Sequence, residues 1–167
     1  MKNKKLIIIL ISIIALIIIL CGSFYIYTLD YNRTNSEVFD MDGMDETVNF
    51  DNLTVFYPRG ELMETEKTGV IFYPGGKVEA SAYSPLLLKL SEEGFTCVLV
   101  DMPMNLAIFN IKGADKVFSA FSDIENWYLM GHSLGGAMAS QYAEKNYYKI
   151  SGLILLGAYP LNDAAVD

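Results

Sequence analysis

The apolar run near the N-terminus is the feature that most limits how this chain can fold. Residues 6–27 (LIIILISIIALIIILCGSFYIY) hold no charged side chain over 22 positions. A helix of that length rises about 33 Å at ~1.5 Å per residue, which is enough to cross the hydrocarbon core of a bilayer. We therefore expect a transmembrane helix here, and any soluble core has to come from the residues that follow.

The charges on either side of this run predict its orientation. Three lysines precede it, whereas the residues after it carry 9 basic and 20 acidic side chains, a net charge of −11. Cytoplasmic flanks are rich in lysine and arginine, so residues 1–5 are expected in the cytoplasm and the C-terminal part outside. A cleaved signal peptide is the alternative, but the run is longer than a usual apolar signal region and no A-x-A site follows. Lipoprotein processing at Cys21 is disfavoured, because Ile19 and Leu20 stand where small residues are expected.

The acidic balance excludes some functions. Binding to nucleic acid by charge needs lysine and arginine opposite the phosphates, so no nucleic-acid partner is expected. A disulfide-built fold is excluded as well, because the two cysteines are Cys21 in the apolar run and Cys97 in a predicted strand.

Residues 28–47 are rich in acidic and small polar side chains. We interpret them as a solvated acidic tether between the membrane helix and a domain that begins near residue 48. The acidic cluster at 40–46 does not have the ligand positions of a calcium loop, so neither a metal nor a cofactor is predicted.

From residue 48 onwards, short apolar runs alternate with helical patterns, which predicts an α/β fold. The runs lack polar alternation, as is typical of parallel strands buried on both faces and covered by crossover helices. The expected strands are 53–57, 70–73, 95–100, 126–130 and 150–158. Three helices are expected. The first has Ser84 as its N-cap and stops at Gly94, and the other two cover 114–121 and 135–145.

The sequence GHSLG at residues 131–135 matches the pattern G-x-S-x-G at the end of a predicted strand and the start of a helix. This setting is that of a nucleophile elbow, in which Ser133 sits in a strained turn. Side chains at Gly131 and Gly135 would collide with neighbouring backbone, and the helix N-terminus would favour a developing oxyanion. A nucleotide-binding turn is the alternative, but neither G-x-G-x-x-G nor GxxxxGK[ST] is present.

A second glycine-rich turn, PGGK at residues 74–77, follows a strand expected beside the elbow strand. Such a turn can aim a backbone N–H at a reacting carbonyl, beside the N–H of Leu134. An ordinary turn chosen for a positive φ is the alternative. The chain has one histidine, His132, which we interpret as a packed residue rather than the base for Ser133, because adjacent side chains at a strand end diverge.

Together these segments resemble the α/β-hydrolase superfamily, and most of all the branch called α/β-hydrolase family 5. The similarity extends over about residues 48–160 and rests on the turn GVIFYPGGKVE, the elbow NWYLMGHSLGGAMASQYA and the strand GLILLGAYP. The resemblance implies that Ser133 is the nucleophile and that the N–H groups of Leu134 and Gly76 (or Lys77) form the oxyanion hole. It implies a small-molecule ester or acyl substrate in an exported, membrane-anchored serine hydrolase.

The resemblance also implies a triad acid and histidine after later strands. Asp163 and Asp167 follow the last predicted strand, but the sequence has no second histidine to pair with them. We therefore interpret 48–167 as a hydrolase domain truncated at its C-terminus, with an exposed last strand and negligible turnover by itself. The alternative is an inactive, membrane-tethered binding or scaffold module. Met102, Met104 and Phe109 either line an acyl pocket or pack in the core.

Overall fold

A computed structural model of the chain describes residues 2–59 and 67–161. The chain divides into two compact units, with the boundary between Tyr31 and Asn32.

The first unit is a single helix, α1 (Lys2–Leu29). Its apolar side chains from Leu6 to Leu20 are largely exposed, which is the expected state of a helix whose solvent is lipid. Among the described residues it is the one helix that is long and apolar enough to cross a membrane, and a signal sequence has the same properties.

The second unit is built on a mixed sheet of six strands in the order β1-β2-β4-β3-β5-β6. The pairs β4–β3, β3–β5 and β5–β6 are parallel, whereas β1 and β2 form an antiparallel hairpin that pairs with β4. The strands are β1 (Val48–Phe50), β2 (Leu53–Phe56), β3 (Thr68–Tyr73), β4 (Thr96–Val100), β5 (Asn126–His132) and β6 (Gly152–Leu156). The predicted α/β class with a mostly parallel sheet is confirmed, and β1 is a strand that the sequence pattern did not predict.

Three helices cover this sheet at the predicted places: α2 (Ser84–Glu92), α3 (Gly113–Ala120) and α4 (Leu134–Asn146). The prediction that Ser84 caps α2 is wrong. A 3-10 turn, Ala80–Tyr83, leads directly into α2, so Ser84 already has helical backbone angles and its side chain is buried. Gly94 follows the end of α2 with φ +91°, the left-handed conformation expected of a helix stop.

Alternate residues of the central strands contribute to two cores on opposite faces of the sheet. In β3, Ile71 and Tyr73 belong to the core that includes α3 and α4, while Val70 and Phe72 belong to the core that includes α2. Burial on both faces is what the continuous apolar runs predicted. The sheet therefore lies between helices, and the ends of its strands are left for the loops that carry polar side chains.

Residues 32–47, which lie within the predicted tether at 28–47, are mostly exposed and are joined to the sheet domain by hydrogen bonds. Asn32 donates its N–H to the carbonyl of Lys77 and accepts the N–H of Glu79, at 2.8 and 2.9 Å. Two 3-10 turns follow, Ser36–Asp40 and Met44–Glu46. Arg59 forms ion pairs with Asp42 and with Glu46 of the second turn, so the repulsion between these two carboxylates is offset.

In the order of the described strands, β6 is at one end of the sheet. It pairs with β5, and each of its residues is partly exposed. The expectation that the strand GLILL lies at an edge is therefore confirmed for the described residues.

Candidate active site

The two glycine-rich turns of the sequence meet at one edge of the sheet. The strands that precede them, β3 and β5, are parallel neighbours, and their last paired residues are Tyr73 and Gly131. Because parallel strands end at the same edge, residues 74–77 and residues 131–135 lie side by side. We call residues 74–77 the oxyanion turn and residues 131–135 the elbow.

Ser133 has the strained backbone that an elbow requires. Its φ is +49° and its ψ is −119°, a region that is costly for a residue with a side chain. Its N–H donates to the carbonyl of Leu156 in β6, and its carbonyl accepts the N–H of Ala137 in α4, both at 3.0 Å. The backbone is thus held from two sides, while the side chain is exposed and does not cap α4. The hydroxyl is therefore free to meet a substrate.

The elbow glycines have a steric role that matches the prediction. A Cβ at Gly135 would lie 2.2 Å from the carbonyl oxygen of Tyr73 and 2.3 Å from that of Pro74. A Cβ at Gly131 would lie 2.6 Å from the backbone nitrogen of Gly136. Since the neighbours are backbone atoms, they cannot rotate away, and the turn closes only when both positions lack a side chain.

Backbone strain collects at this edge of the sheet. Six non-glycine residues of the described chain have positive φ, and four of them lie in the loops after β3, β4 and β5: Lys77, Met104, Asn105 and Ser133. The remaining two are in the β1–β2 hairpin, where turn residues routinely adopt this conformation. Strained residues persist where the surrounding structure holds them, and such places are often functional sites.

The N–H groups of the oxyanion turn have different partners. That of Gly75 donates to the hydroxyl of Tyr83 at 3.1 Å, and that of Lys77 donates to the carbonyl of Asn105 at 2.8 Å. Within the described residues the N–H of Gly76 has no hydrogen-bond acceptor, so of the two donors that the resemblance offered, Gly76 is the free one. A Cβ at Gly76 would lie 3.3 Å from Cβ of Leu134, the first residue of α4. The N–H of Leu134 has no intrahelical partner either, because helix starts leave their first N–H groups open.

Within the elbow, the side chain of His132 contacts Tyr83 and Gly157. Its Nδ1 is 2.8 Å from the hydroxyl of Tyr83, and a Cβ at Gly157 would lie 3.6 Å from its Nε2. No hydrogen bond joins it to Ser133 in the described structure. This arrangement agrees with a packed histidine and not with a base for the serine.

The remaining candidates fall in different places. Met102 is buried in the core, whereas Met104 and Phe109 are 47% and 49% exposed in the loop after β4. Asp163 and Asp167 lie outside the described residues. Among the residues that are described, no three His, Cys, Asp or Glu side chains come together as a metal site.

Sequence reasoning missed Tyr83 and Asn105, which hold the oxyanion turn. Tyr83 lies in the 3-10 turn before α2, and no motif marks it. Asn105 has a weak signal, because asparagine tolerates left-handed backbone better than most residues and its φ is +55°.

The chain is similar to several solved structures, and two of those described here have a TM-score above 0.5. A lipase in its open form is 18% identical with a TM-score of 0.52, over 65% of this chain and 42% of the lipase. An epoxide hydrolase mutant from Vigna radiata is 13% identical with a TM-score of 0.51, over 70% of this chain and 39% of its own. A thermostable carboxyl esterase from Bacillus coagulans is 20% identical with a TM-score of 0.48, over 65% of this chain and 42% of the esterase. The chain thus spans about two fifths of the length of these structures.

No curated protein sequence gives a significant match. Residues 69–167, more than half of the sequence and including both glycine-rich turns, match the sequence model of the alpha/beta hydrolase family. The chain therefore belongs to the alpha/beta hydrolase family.

Proposed function

We propose that this chain is part of a membrane-anchored serine hydrolase that acts on carboxylic esters or related acyl compounds, with Ser133 as its nucleophile. The observation that carries the proposal is the strained, exposed Ser133 beside two backbone N–H groups, of Leu134 and Gly76, that have no acceptor in the described structure. A hydroxyl next to free donors suits an acyl carbonyl, since the hydroxyl attacks carbon while the donors bind oxygen.

The reaction would run through a covalent acyl-enzyme. Oγ of Ser133 attacks the carbonyl carbon while its proton moves to a base, and the N–H groups of Leu134 and Gly76 bind the tetrahedral oxyanion. Collapse of this intermediate expels the alcohol, which takes a proton, and water then releases the acid from Ser133. Each oxyanion donor typically lowers the activation barrier by ~3 kcal/mol.

In the described structure no hydrogen bond joins a base to the hydroxyl of Ser133. The sequence has one histidine, and its Nδ1 already lies within hydrogen-bond distance of Tyr83. Removing a triad member typically lowers the rate by ~10⁴ to 10⁶. We therefore expect the 167-residue chain by itself to have very low ester turnover, even though nucleophile and donors are in place.

A small base in solution offers a direct test. Full-length chain in detergent micelles is mixed with p-nitrophenyl acetate at rising imidazole concentrations, and the acetylated residue is located by peptide mass spectrometry. We expect imidazole to accelerate acetylation of Ser133, because it accepts the proton of a hydroxyl that has no hydrogen-bonded base among the described residues. Ser133→Ala measures the reaction of imidazole with the ester alone, and Ser122→Ala, at an exposed loop serine, is the matched control that keeps the effect.

Equal acetylation of Ser122 and Ser133, or the same rate with Ser133→Ala, would contradict the proposal. Either result would favour the other candidate, a membrane-tethered binding module that keeps the fold without its chemistry. The engagement of the only histidine by Tyr83 is the observation that favours this second candidate.

The membrane anchor belongs to the proposal as well. Its support is the composition and length of α1 together with the three lysines before its apolar run. In this arrangement the residues after α1 lie outside the cytoplasm and take small-molecule substrates there.

A further inference from the structure

Tyr83 lies between the two glycine-rich turns of the site. Its hydroxyl accepts the N–H of Gly75 in the oxyanion turn at 3.1 Å and lies 2.8 Å from Nδ1 of His132, the residue before Ser133. Its ring packs against those of Phe72 and His132, with centroid distances of 4.8 and 5.7 Å. We propose that Tyr83 is a positioning residue, which fixes the oxyanion turn relative to the elbow through these two hydrogen bonds.

The hydroxyl has one proton, and this determines the direction of the second bond. Burial raises the pKa of Tyr83, although the N–H of Gly75 acts in the other direction, so the hydroxyl stays protonated at neutral pH. Because its oxygen accepts from Gly75, its proton is available for Nδ1, the acceptor that the described residues provide. Nδ1 of His132 is then the acceptor, and the ring proton is on Nε2.

This arrangement decides which N–H group of the turn remains for a substrate. Tyr83 takes the N–H of Gly75 and Asn105 takes that of Lys77, so that of Gly76 is left, beside Leu134. Gly75 packs closely against both side chains, because a Cβ there would lie 2.7 Å from Nδ1 of His132 and 2.8 Å from the hydroxyl of Tyr83. The bond from Gly75 to Tyr83 therefore restrains the turn that carries Gly76 beside Leu134.

The single histidine makes the test unambiguous. Full-length chain labelled with ¹⁵N-histidine in micelles gives one pair of ring nitrogen signals. We expect an unprotonated Nδ1 and a protonated Nε2 in the wild type at pH 8. In Tyr83→Phe this preference is lost, and hydrogen exchange of the Gly75 amide accelerates about tenfold, as expected for the loss of one hydrogen bond.

Tyr147→Phe is the control, since it removes the same hydroxyl from a side chain that is 75% exposed, and we expect neither signal to change. A protonated Nδ1 in the wild type would overturn the proposal, and this measurement decides even if Tyr83→Phe does not fold. Unchanged tautomer and Gly75 exchange in a folded Tyr83→Phe would also overturn it.

The catalytic part of this role rests on the proposed function, and a kinetic measurement addresses it separately. In the imidazole-dependent acetylation of Ser133, Tyr83→Phe should lower the maximal rate at least tenfold while leaving the half-saturating ester concentration unchanged, because the donors matter in the transition state. An unchanged maximal rate would refute the positioning of Gly76. If the wild type shows no acetylation while the tautomer is as expected, the proposed function fails and the hydrogen bonds of Tyr83 stand.

Discussion

Alanine at Gly135 is the substitution for which this structure gives the sharpest expectation. A new Cβ would lie 2.2 Å from the carbonyl oxygen of Tyr73, whereas ordinary contacts begin at 3.4 Å. The first turn of α4 must therefore move by about 1 Å, because β3 is fixed between β4 and β5. Leu134, which carries one of the proposed oxyanion donors, moves with it.

The stability effect combines two opposing terms. Overpacking of this kind costs about 3 kcal/mol. Replacing a helical glycine with alanine returns about 1 kcal/mol. The net loss of about 2 kcal/mol should lower the Tm by about 8 °C for a domain of this size.

The single tryptophan reports this change. Trp127 is 4% exposed in β5, so its fluorescence follows unfolding of the sheet during a thermal scan of the full chain in micelles. Gly22→Ala is the control, since a Cβ there meets nothing within 4 Å and the Tm should not change. A Gly135→Ala variant as stable as the wild type, or more stable as helix propensity alone predicts, would refute the steric argument. In the acetylation assay the shift of Leu134 should cost about 100-fold, as a misplacement of 1 Å can.

Three further predictions follow from the same structure. Ser133→Gly should raise the free energy of unfolding by about 1 kcal/mol, because glycine tolerates φ +49°, while Ser122→Gly should not; denaturant unfolding followed by Trp127 measures both. Burial raises the pKa of Asp115, but hydrogen bonds from Lys149 and Tyr142 more than offset this, and the net pKa is lowered. The stability that Asp115 contributes is therefore present above its unfolded pKa of about 3.9 and is lost as the pH falls through its lower folded pKa. We expect Asp115→Asn to lose less stability between pH 5 and 3 than the wild type, as measured by urea unfolding. An equally steep loss in the variant would contradict this. Replacing Lys2, Lys4 and Lys5 with glutamine should lower the fraction of molecules whose C-terminal domain lies outside the cytoplasm, as measured by protease accessibility in intact cells. An unchanged fraction would contradict the charge argument.

The sequence predicted the central part of the fold well because several signals agreed there. The strands and helices between residues 68 and 156 combine apolar runs, helix stops such as Gly94 and a strand–turn–helix motif at Ser133. β1 escaped prediction because its three residues are all exposed and its strand forms by pairing with β2. The contacts of the acidic residues 32–47 could not be predicted, because composition does not show that Asn32 bonds to the backbone of Lys77 and Glu79 or that Arg59 pairs with two carboxylates.

The residues of the candidate site also differ in how far the sequence could point to them. Ser133 and the elbow glycines could be found from sequence because their spacing is local and each has a steric reason. Tyr83 could not, since its role depends on a contact between side chains 49 positions apart. The resemblance preferred Gly76 and left Lys77 as the alternative, and the difference between them in the structure is the carbonyl of Asn105, a feature of the folded backbone alone.

The proposed oxyanion hole is therefore selected by which backbone groups already have partners. The turn offers three consecutive N–H groups, and two of them are committed to Tyr83 and Asn105. A buried or half-buried N–H without an acceptor is costly, so a fold keeps one free only where the surroundings leave no alternative. A Cβ at Gly76 would lie 2.8 Å from a methyl carbon of Leu134 and 3.6 Å from one of Leu106, and these apolar side chains offer no acceptor. A carbonyl oxygen bound between Gly76 and Leu134 would accept from both donors, so binding an acyl group would complete the hydrogen bonding that the described residues leave open.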